Sequence, residues 1–588
     1  MAHRTQAIAN SIMLGLSVLA STPLLPAQNS STSVVTKLGV DQDVRSGMKI
    51  LMDETLAGTL KLPDFSSPVT HLDWAPPYLH RGVDVQANVP SGDYVQQFPG
   101  FRPFVRATQS EVSTAAFGRN IVVGYNNSVG IHVSPSGPGL IVDRVQISGY
   151  SASNDGGQTW KSGFLPPSHN ASQTFGDPSV GVDRRGVFYY ATLAADSTGR
   201  GTVQVNSSKD GGATWSEGAI VQQDDGADKE WLAIGRDPER RNRDNIYVTW
   251  TSFQKACELR FGRSTDGGAT WQAKTIFVPA TGLKATDPTD CLQFSNPVVD
   301  ATDGTLYVPF LRFSNADQDF IQMMISEDAG ETFRFAKFNV PGAPSPTVLP
   351  VTQPGELTSC GANNIRNTIH GNLNSGPGQF GFPRYVNASR LTLQPAAAAY
   401  NGSVFLAWNN SASLVFGSAA GSDVWFIRSD NGGRTWKPKI KVNPSTGTDK
   451  HHVLPSLALG RDEEDLHISY YTQHADSSID LEMANSSDAG DSFPARRIAR
   501  ITDSSFQLPP TNLRLSNAPA FGATNYDRQI AVCYALGEYQ SVTTTNGAVY
   551  AGWGDSRNLI TEPLNTLDPI SGQTHPEQDV FVQRVRVQ

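Results

Sequence analysis

Hydrophobic residues in this chain occur in short runs that close on an aromatic residue. Clear examples span residues 246–250, 306–310, 404–408, 466–470 and 548–553, and each ends in Trp, Phe or Tyr. Runs of this length, separated by turns rich in glycine, proline, Asn and Asp, are typical of β-strands and too short for helices. The pattern therefore predicts an all-β protein made of many short strands.

A turn motif, S-x-D-x-G-x-T-W, repeats in step with these strands. Full copies span Ser153–Trp160, Ser208–Trp215 and Ser264–Trp271, and looser copies begin at Ser326, Ser429 and Ser486. Successive copies lie roughly 55 to 60 residues apart, except for one gap that is nearly twice as long. A repeat of this period with short strands favours the blades of a β-propeller.

The motif has a mechanical interpretation as a tight turn. Glycine accepts positive φ, a short Asp side chain can bind nearby backbone amides, and the closing aromatic residue fills the space beside the next strand. We call the six copies the repeat turns, and their central residues are Asp155, Asp210, Asp266, Asp328, Asn431 and Asp488. The turns resemble the Asp box of sialidases and related propellers, and that resemblance implies a structural role on the outer rim.

The number of blades follows from the units around these turns. Six units carry a repeat turn, and a seventh without one opens at residues 537–541 and continues through the strand at 548–553. The chain then ends one strand short of a complete blade, so closing the ring requires a strand from residues 30–105. We predict a seven-bladed β-propeller, with six blades as the alternative.

The domain organisation is predicted in three parts. Residues 1–27 are typical of a signal peptide, residues 28–104 form an extension that contributes the closing strand, and residues 105–588 form the propeller. The long gap between repeat turns predicts an inserted loop at about 342–390, which we interpret as a partial lid. The protein is expected to be secreted or periplasmic, with no membrane span once the signal is removed.

Composition narrows the partners and the cofactors. The formal net charge of −9 and the lack of basic clusters exclude a typical nucleic-acid-binding protein. Four cysteines, Cys257, Cys291, Cys360 and Cys533, allow up to two disulfides, with Cys257–Cys291 the first choice and buried free thiols the alternative. We expect a monomer without a cofactor. Bound Ca²⁺ is the one exception considered, and its ligands are not identified.

Candidate chemistry gathers where the first strand of each blade opens, because these strands line the central channel of a propeller. The residues expected at this rim are Glu111, Asp177, Asp228, Glu230, Asn296, Gln394, His452, Glu538 and Tyr539. Crowded carboxylates raise one another's pKa, which suits acid–base catalysis. The same oxygens could bind calcium or simply cap the strand ends.

A second set of polar residues follows the second strand of several blades. It consists of Ser252, Arg312, Asn410, Asp555 and Arg557. The planar fork of arginine pairs well with a sugar carboxylate, so Arg312, Asp555 and Arg557 are the substrate-binding candidates. A local salt bridge between Asp555 and Arg557 is the alternative.

Beyond the repeat turns, residues 177–179, 228–250 and 553–581 resemble the non-viral sialidase group. That resemblance implies a tyrosine nucleophile activated by a glutamate, and an aspartate acid–base. Tyr539, Glu538, Glu230 and Asp177 are the catalytic candidates, with Tyr539 as nucleophile and Glu230 as its activator. The Arg-Ile-Pro signature of that group is missing, so an arginine triad is not assigned.

These observations predict a glycan-active propeller, with a sialidase-like exo-glycoside hydrolase as the first hypothesis. A propeller that binds a glycan or a protein without catalysis, and a polysaccharide lyase, are the alternatives, because fold alone does not determine function.

Overall fold

The computed structural model describes most of the predicted propeller. The described residues are 83–88, 94–96, 104–106, 109–136, 139–168, 173–254, 257–279, 290–314, 319–351, 394–411, 422–444, 451–460, 464–474, 478–506, 539–561, 564, 572 and 574–585. They form seven antiparallel blades, and the predicted seven-bladed fold is confirmed. Within this part of the chain the only helical elements are two short 3-10 helices, Ser128–Gly130 and Ala495–Arg497.

Blades 1 to 3 follow one another along the chain, and each is a simple four-stranded meander. The strands of blade 1 are Gln109–Phe117, Asn120–Asn127, Ser148–Ser153 and Lys161–Phe164. Those of blade 2 are Thr174–Val182, Phe188–Ala195, Gly201–Ser208 and Ala219–Gln223. Those of blade 3 are Ala227–Arg236, Asp244–Ser252, Glu258–Ser264 and Gln272–Phe277.

Blades 4 to 6 keep this plan, with additions at blade 4. In blade 4 the first strand is split into Asp290–Gln293 and Val298–Val299, which both pair with the second strand, Leu306–Ser314. The third and fourth strands are Asp319–Ser326 and Arg334–Phe335. Blade 5 contains Ala396–Tyr400, Ser403–Ser411, Ser422–Ser429 and Ile440–Lys441. Blade 6 contains His451–Leu459, Leu466–Gln473, Ile479–Ser486 and Ile498–Arg500.

Two small pairs of strands lie outside the blades. Tyr94–Gln96 pairs with Phe104–Arg106, and Ile131–Ser136 pairs with Gly139–Val145 between the second and third strands of blade 1.

Blade 7 is assembled from both ends of the propeller sequence. Its strands are Ser541–Thr545, Ala548–Thr561 and Thr574–Val585, and its fourth strand is Val85–Gln86. Val85 pairs with Val582 in antiparallel register, and the side chain of Asn88 accepts a hydrogen bond from the backbone of Val580 at 3.0 Å. The N-terminal segment thereby covers what would otherwise be an open sheet edge.

The region predicted as an inserted loop begins differently from the expectation. Leu349–Val351 is a β-strand that pairs with the third strand of blade 4, at Asp319, Phe320 and Ile321. The start of the insertion therefore continues blade 4, because the third strand has free edge groups beyond the two-residue strand Arg334–Phe335. The rest of the insertion, residues 352–393, lies outside the described residues, and its role as a lid stays a prediction.

The first strand of several blades is interrupted by a bulge at the channel. Glu111, Asp177, Lys229 and Leu454 have φ between 52° and 57°, and the strand register shifts at each of these points. Left-handed backbone is uncommon for residues other than glycine and persists only where the surroundings hold it. At each bulge the regular backbone hydrogen bonding between the first and second strands is interrupted. The side chain of the bulged residue therefore leaves the regular alternation between the two faces of the sheet.

Hydrogen bonds between neighbouring first strands hold the bulges in place. The backbone of Val180 donates to the hydroxyl of Ser113 at 2.9 Å, and the backbone of Leu232 donates to that of Ser179 at 2.9 Å. The same bond joins Val542 to Ser456 at 3.1 Å. Blades 1, 2 and 3, and blades 6 and 7, are thus linked next to the channel by serine side chains.

The core lies between the blades and consists of their aromatic and aliphatic side chains. Trp250 and Trp553 are fully buried, and each indole donates a hydrogen bond to a buried carboxylate, Asp224 at 2.9 Å and Asp555 at 2.8 Å. These tryptophans pack in the interior and do not face a ligand, in agreement with the need of a buried indole for a hydrogen-bond partner.

The repeat turns share one hydrogen-bond pattern. In the second copy, Asp210 accepts bonds from the Ser208 hydroxyl at 2.8 Å, the Thr214 backbone at 2.9 Å and the Thr214 hydroxyl at 2.5 Å. The backbone of Gly212 donates in turn to the Ser208 hydroxyl at 2.8 Å. The fifth copy makes equivalent bonds with an amide, because Asn431 accepts from the backbone of Thr435 and donates to its hydroxyl.

These bonds also set the acidity of the turn carboxyls. Burial is the largest single influence on Asp266 and raises its pKa, but the hydroxyl and backbone bonds of Thr270 and the hydroxyl bond of Ser264 together outweigh it and lower the pKa to about 2. The same kinds of bond lower the pKa of Asp155, Asp210, Asp328 and Asp488. The turns therefore stabilise the ionised carboxylate at neutral pH.

Asp210→Ala should lower the free energy of unfolding by about 1 kcal/mol, because three hydrogen bonds to an exposed carboxylate are lost and water replaces them in part. Asp210→Asn is the matched control, since Asn431 already serves in the same turn, and it should stay within about 0.5 kcal/mol of the parent protein. Urea unfolding measures both. Equal losses in the two variants would show that charge, and not hydrogen bonding, stabilises the turn.

Candidate functional site

Six ionisable side chains from four blades are buried together in the channel, and we call them the channel cluster. They are Glu111 of blade 1, Asp177 of blade 2, Asp228, Lys229 and Glu230 of blade 3, and Tyr539 at the opening of blade 7. None of them is more than 4% exposed. Several belong to, or adjoin, the left-handed bulges of the first strands, so the bulges bring these polar groups together.

Tyr539 occupies the middle of the channel cluster. Its hydroxyl donates a hydrogen bond to the backbone carbonyl of Pro178 at 3.0 Å, which links blade 7 to blade 2 past blade 1. Its ring meets Trp231 edge-on, with 4.8 Å between the ring centroids. The tyrosine is thereby held in one orientation.

Lys229 lies against the face of the same tyrosine. Its ammonium nitrogen is 3.4 Å from the centroid of the Tyr539 ring and 4.9 Å from that of Trp231. It forms no hydrogen bond with any described residue. A desolvated ammonium group is attracted to aromatic faces, so the two rings provide part of the stabilisation that water would otherwise supply.

Amide side chains support two of the carboxyls. Asn126 donates to Glu111 at 2.9 Å and accepts from the backbone of Asp177 at 2.9 Å, so one residue of blade 1 orients groups in two blades. Gln293 of blade 4 donates to Asp228 at 3.0 Å. The carboxyls therefore sit on rigid strands and are held by neighbouring blades.

Burial and mutual repulsion raise the pKa of three groups, Asp177, Glu230 and Tyr539. Burial is the largest cause for Asp177, followed by the charges of Glu111 and Asp228, while Lys229 opposes them. Burial and then Asp177 raise the pKa of Glu230 well above its usual range, opposed by the backbone of Glu230 and by Lys229. Burial, Glu111, Asp177 and Glu230 also raise the pKa of the Tyr539 hydroxyl.

Such a cluster can hold and donate protons. Carboxylic acids that stay protonated are general acids, and neighbouring groups with displaced pKa values are the usual mark of acid–base sites. Asp177, Glu230 and Tyr539 come together as expected for catalytic candidates, and the fourth candidate, Glu538, lies outside the described residues. Their catalytic roles stay predictions.

The described contacts of Arg312 are not with the channel cluster. It belongs to the second strand of blade 4, where its guanidinium donates to Gln322 at 3.0 Å and lies 5.5 Å from the ring centroid of Phe277. These contacts are within blade 4 and the adjoining face of blade 3. They do not connect it to the channel cluster.

Asp555 and Arg557 form an ion pair that fastens the closing strand. The guanidinium of Arg557 contacts Asp555 at 2.5 Å and Asp84, on the N-terminal segment, at 2.6 Å. Asp84 also accepts from the backbone of Asp503 at 2.7 Å and from Gln583 at 2.7 Å. The local salt bridge considered from the sequence is present, and binding of a substrate by this pair stays a prediction.

Sequence reasoning did not select Lys229 as a site residue. A lysine at the opening of a strand usually points to solvent, and the signal that identifies it here is its position. Lys229 occupies the left-handed bulge of blade 3, as Asp177 does in blade 2. The structural equivalence of the two bulges therefore accounts for the position of Lys229 in the channel.

Three other expectations concern metals, cysteines and membranes. Among the described residues no group of three or more His, Cys, Asp or Glu side chains is arranged to hold a metal ion. Cys257 is in a disulfide, and its pairing with Cys291 stays a prediction. The described part of the chain contains no helix with the length and apolarity needed to cross a membrane.

Comparison with known proteins gives distant structural neighbours. No family model matches the chain, and no curated protein matches it. A Trypanosoma rangeli sialidase in complex with the inhibitor DANA is 12% identical, with 85% of this chain and 59% of that chain covered and a TM-score of 0.37.

Two other glycan-active propellers are similar to a comparable degree. A polysaccharide lyase described as a PL25 ulvan lyase is 11% identical, with 69% and 87% of the two chains covered and a TM-score of 0.41. A Penicillium chrysogenum α-L-arabinanase is 12% identical, with 60% and 92% covered and a TM-score of 0.32. Similarity at this level carries no argument about the reaction, so function has to be argued from the channel cluster.

Glu230→Gln should stabilise the protein at neutral pH by on the order of 1 kcal/mol, because the amide fills the same space and, unlike the carboxylate, does not have to take up a proton when the protein folds. The folded-state pKa of Glu230 lies above its unfolded value of 4.5, so this group destabilises the fold as pH rises past 4.5. The advantage of the variant should therefore vanish below pH 4.5.

Urea unfolding from pH 4 to pH 8 measures this difference. Glu258→Gln is the control, since Glu258 is paired with Arg260 at 3.0 Å near the surface and should gain nothing from neutralisation. A Glu230→Gln protein that is less stable than the parent at pH 7 would contradict the assignment of a raised pKa.

Proposed function

We propose that the protein is a glycan-active propeller that cleaves a glycosidic bond at the channel cluster, with a sialidase-like glycoside hydrolase as the first candidate. The observation that carries the proposal is the enclosure of Tyr539 by carboxyls with raised pKa values. Neutral-pH acid catalysis needs such groups, and a purely structural channel would be more stable without them. Secretion, the Asp-box identity of the repeat turns and a monomeric state belong to the same proposal.

The proposed roles follow from the contacts. Tyr539 is the nucleophile and Glu230 is the proposed acceptor of its proton, a role that requires Glu230 in its ionised form, which the charge of Lys229 favours against burial and Asp177. Asp177 is the general acid, since burial and the neighbouring charges keep it protonated until a leaving oxygen takes the proton. Attack on the anomeric carbon requires the hydroxyl to leave the carbonyl of Pro178, so substrate binding must displace that bond.

A polysaccharide lyase is the second candidate, and Lys229 is the observation that favours it. Its ammonium group has no hydrogen-bond partner among the described residues and lies beside Tyr539. In a lyase it would neutralise the carboxylate of a uronate while Tyr539, in its ionised form, takes the proton next to that carboxylate. The bond to the glycosidic oxygen then breaks, a double bond forms in the uronate, and a carboxylic acid of the cluster protonates the leaving oxygen. The cluster offers one cation for this purpose, which suits a single carboxylate.

Tyr539→Phe should abolish turnover while leaving the fold intact, because the ring still fills the site and only the reacting hydroxyl is lost. The purified protein is assayed against fluorogenic glycosides and uronate polymers. Release of the fluorophore reports hydrolysis, and ultraviolet absorbance of an unsaturated uronate reports elimination. These two readouts separate the two candidates.

Tyr471→Phe is the matched control for this experiment. Tyr471 is also fully buried, and its hydroxyl donates to the backbone carbonyl of Gly554 at 3.1 Å, so it loses the same kind of bond away from the cluster. It should keep full activity in whatever fraction folds. Full activity in Tyr539→Phe would rule out the nucleophile, and glycan binding without turnover in the parent protein would favour a binding module.

A further inference from the structure

A cavity separate from the channel cluster lies on the face of the propeller opposite the openings of the first strands. It has a volume of about 450 Å³ and lies between the turns of blades 3, 4 and 5. Its polar lining includes Asp303, Thr305, Tyr307, Glu327, Asn431 and Arg434. The turns between first and second strands and the repeat turns both emerge at this end, so the cavity is separate from the bulges that form the channel cluster. Its size suits a small-molecule ligand.

Tyr307 contributes a hydroxyl to the wall of this cavity. The residue as a whole is only 2% exposed, it lines the cavity, and its hydroxyl forms no hydrogen bond with a described residue. It lies beside Gly432, where a Cβ atom would come within 3.4 Å of it. In blade 3 the corresponding hydroxyl, of Tyr247, is satisfied by Asn245 at 2.9 Å. A tyrosine hydroxyl both donates and accepts hydrogen bonds, so Tyr307 can bind a polar group of a ligand in the cavity.

The charged groups around Tyr307 present acceptors and donors side by side. Glu327 contacts Arg334 at 2.8 Å and Arg434 at 3.6 Å, so its charge is largely neutralised. Asp303 accepts a bond from the backbone of Thr305 at 2.8 Å and has no ion pair with a described residue. Two carboxylates, a guanidinium and a phenol match a ligand with several hydroxyl groups, which both donates and accepts. A metal cation suits the site poorly, because the arginines adjoin Glu327.

The fifth repeat turn departs from the others at this cavity. It has Asn431 in place of the usual aspartate and Arg434 three residues later. The equivalents of Arg434 in the other turns are Gln158, Ala213, Ala269, Glu331 and Asp491. The turn keeps its hydrogen bonds, as described above, so the hydrogen bonding of the turn itself does not require these substitutions. Both residues line the cavity.

We propose that this cavity is an ancillary binding site for a neutral saccharide, with Asp303 and Arg434 binding adjacent hydroxyls and Tyr307 binding a third. The site is independent of catalysis at the channel cluster. It would hold a glycan on the opposite face of the propeller whether or not the protein is an enzyme.

The test measures binding of methyl glycosides of glucose, galactose, mannose and N-acetylglucosamine, and of a glycan array of neutral oligosaccharides, to the whole protein. Saturation-transfer NMR detects contact and a titration gives the dissociation constant. Tyr307→Phe and Arg434→Ala should each weaken binding about tenfold, the effect of losing one well-made hydrogen bond to a ligand.

Gln158→Ala is the matched control. Gln158 occupies the equivalent position in the first repeat turn and binds the backbone oxygen of Asp155 at 2.9 Å, as Arg434 binds that of Asn431 at 3.2 Å. It should bind saccharide like the parent protein. Absence of saccharide binding by the parent, or equal affinity in the parent and in both cavity variants, would overturn the proposal.

Discussion

The centre of this propeller depends on a backbone constraint, the left-handed bulge in the first strand of its blades. At Glu111, Asp177, Lys229 and Leu454 the ladder breaks. The bulge is held by bonds from the next blade, such as those of Ser113 and Asn126. At or beside the bulges of blades 2, 3 and 6, a side chain of the preceding blade accepts a backbone hydrogen bond, so these blades depend on a neighbour for their channel conformation. The channel cluster therefore depends on the packing of neighbouring blades in the ring, and this packing maintains the strained backbone of the bulges.

The same constraint explains the unusual electrostatics of the channel cluster. A regular strand would alternate its side chains between two faces, whereas the bulge places Lys229 and Glu230 in one buried group with Asp177. Carboxyls so enclosed resist ionisation, and Lys229 together with the faces of Trp231 and Tyr539 compensates only in part. Packing of the aromatic side chains between the blades stabilises the fold enough to offset the cost of burying the channel cluster.

The architecture was accessible from the sequence because repetition and local chemistry agree. Glycine-rich turns and aromatic-ended strands recur, which predicted seven blades. The channel candidates were reached in part: Asp177, Glu230 and Tyr539 follow from the rule that first strands line the channel. Lys229 did not, because its burial depends on a bulge that no composition pattern marks. The contacts of Arg312 and Arg557 were equally inaccessible, since their partners Gln322 and Asp84 are set by register and by ring closure.

Closure by the N-terminal strand also has a kinetic consequence. Asn88 binds Asp579, which lies 491 residues further along the chain, so a segment that is synthesised early is among the last to find its partners. Contacts between distant residues must overcome a large loop-closure entropy and slow down folding. Until the C-terminal strand emerges, the segment around Val85 is unpaired and the growing ring has two open edges. A chain of this kind is exposed to edge-to-edge aggregation until all blades are present.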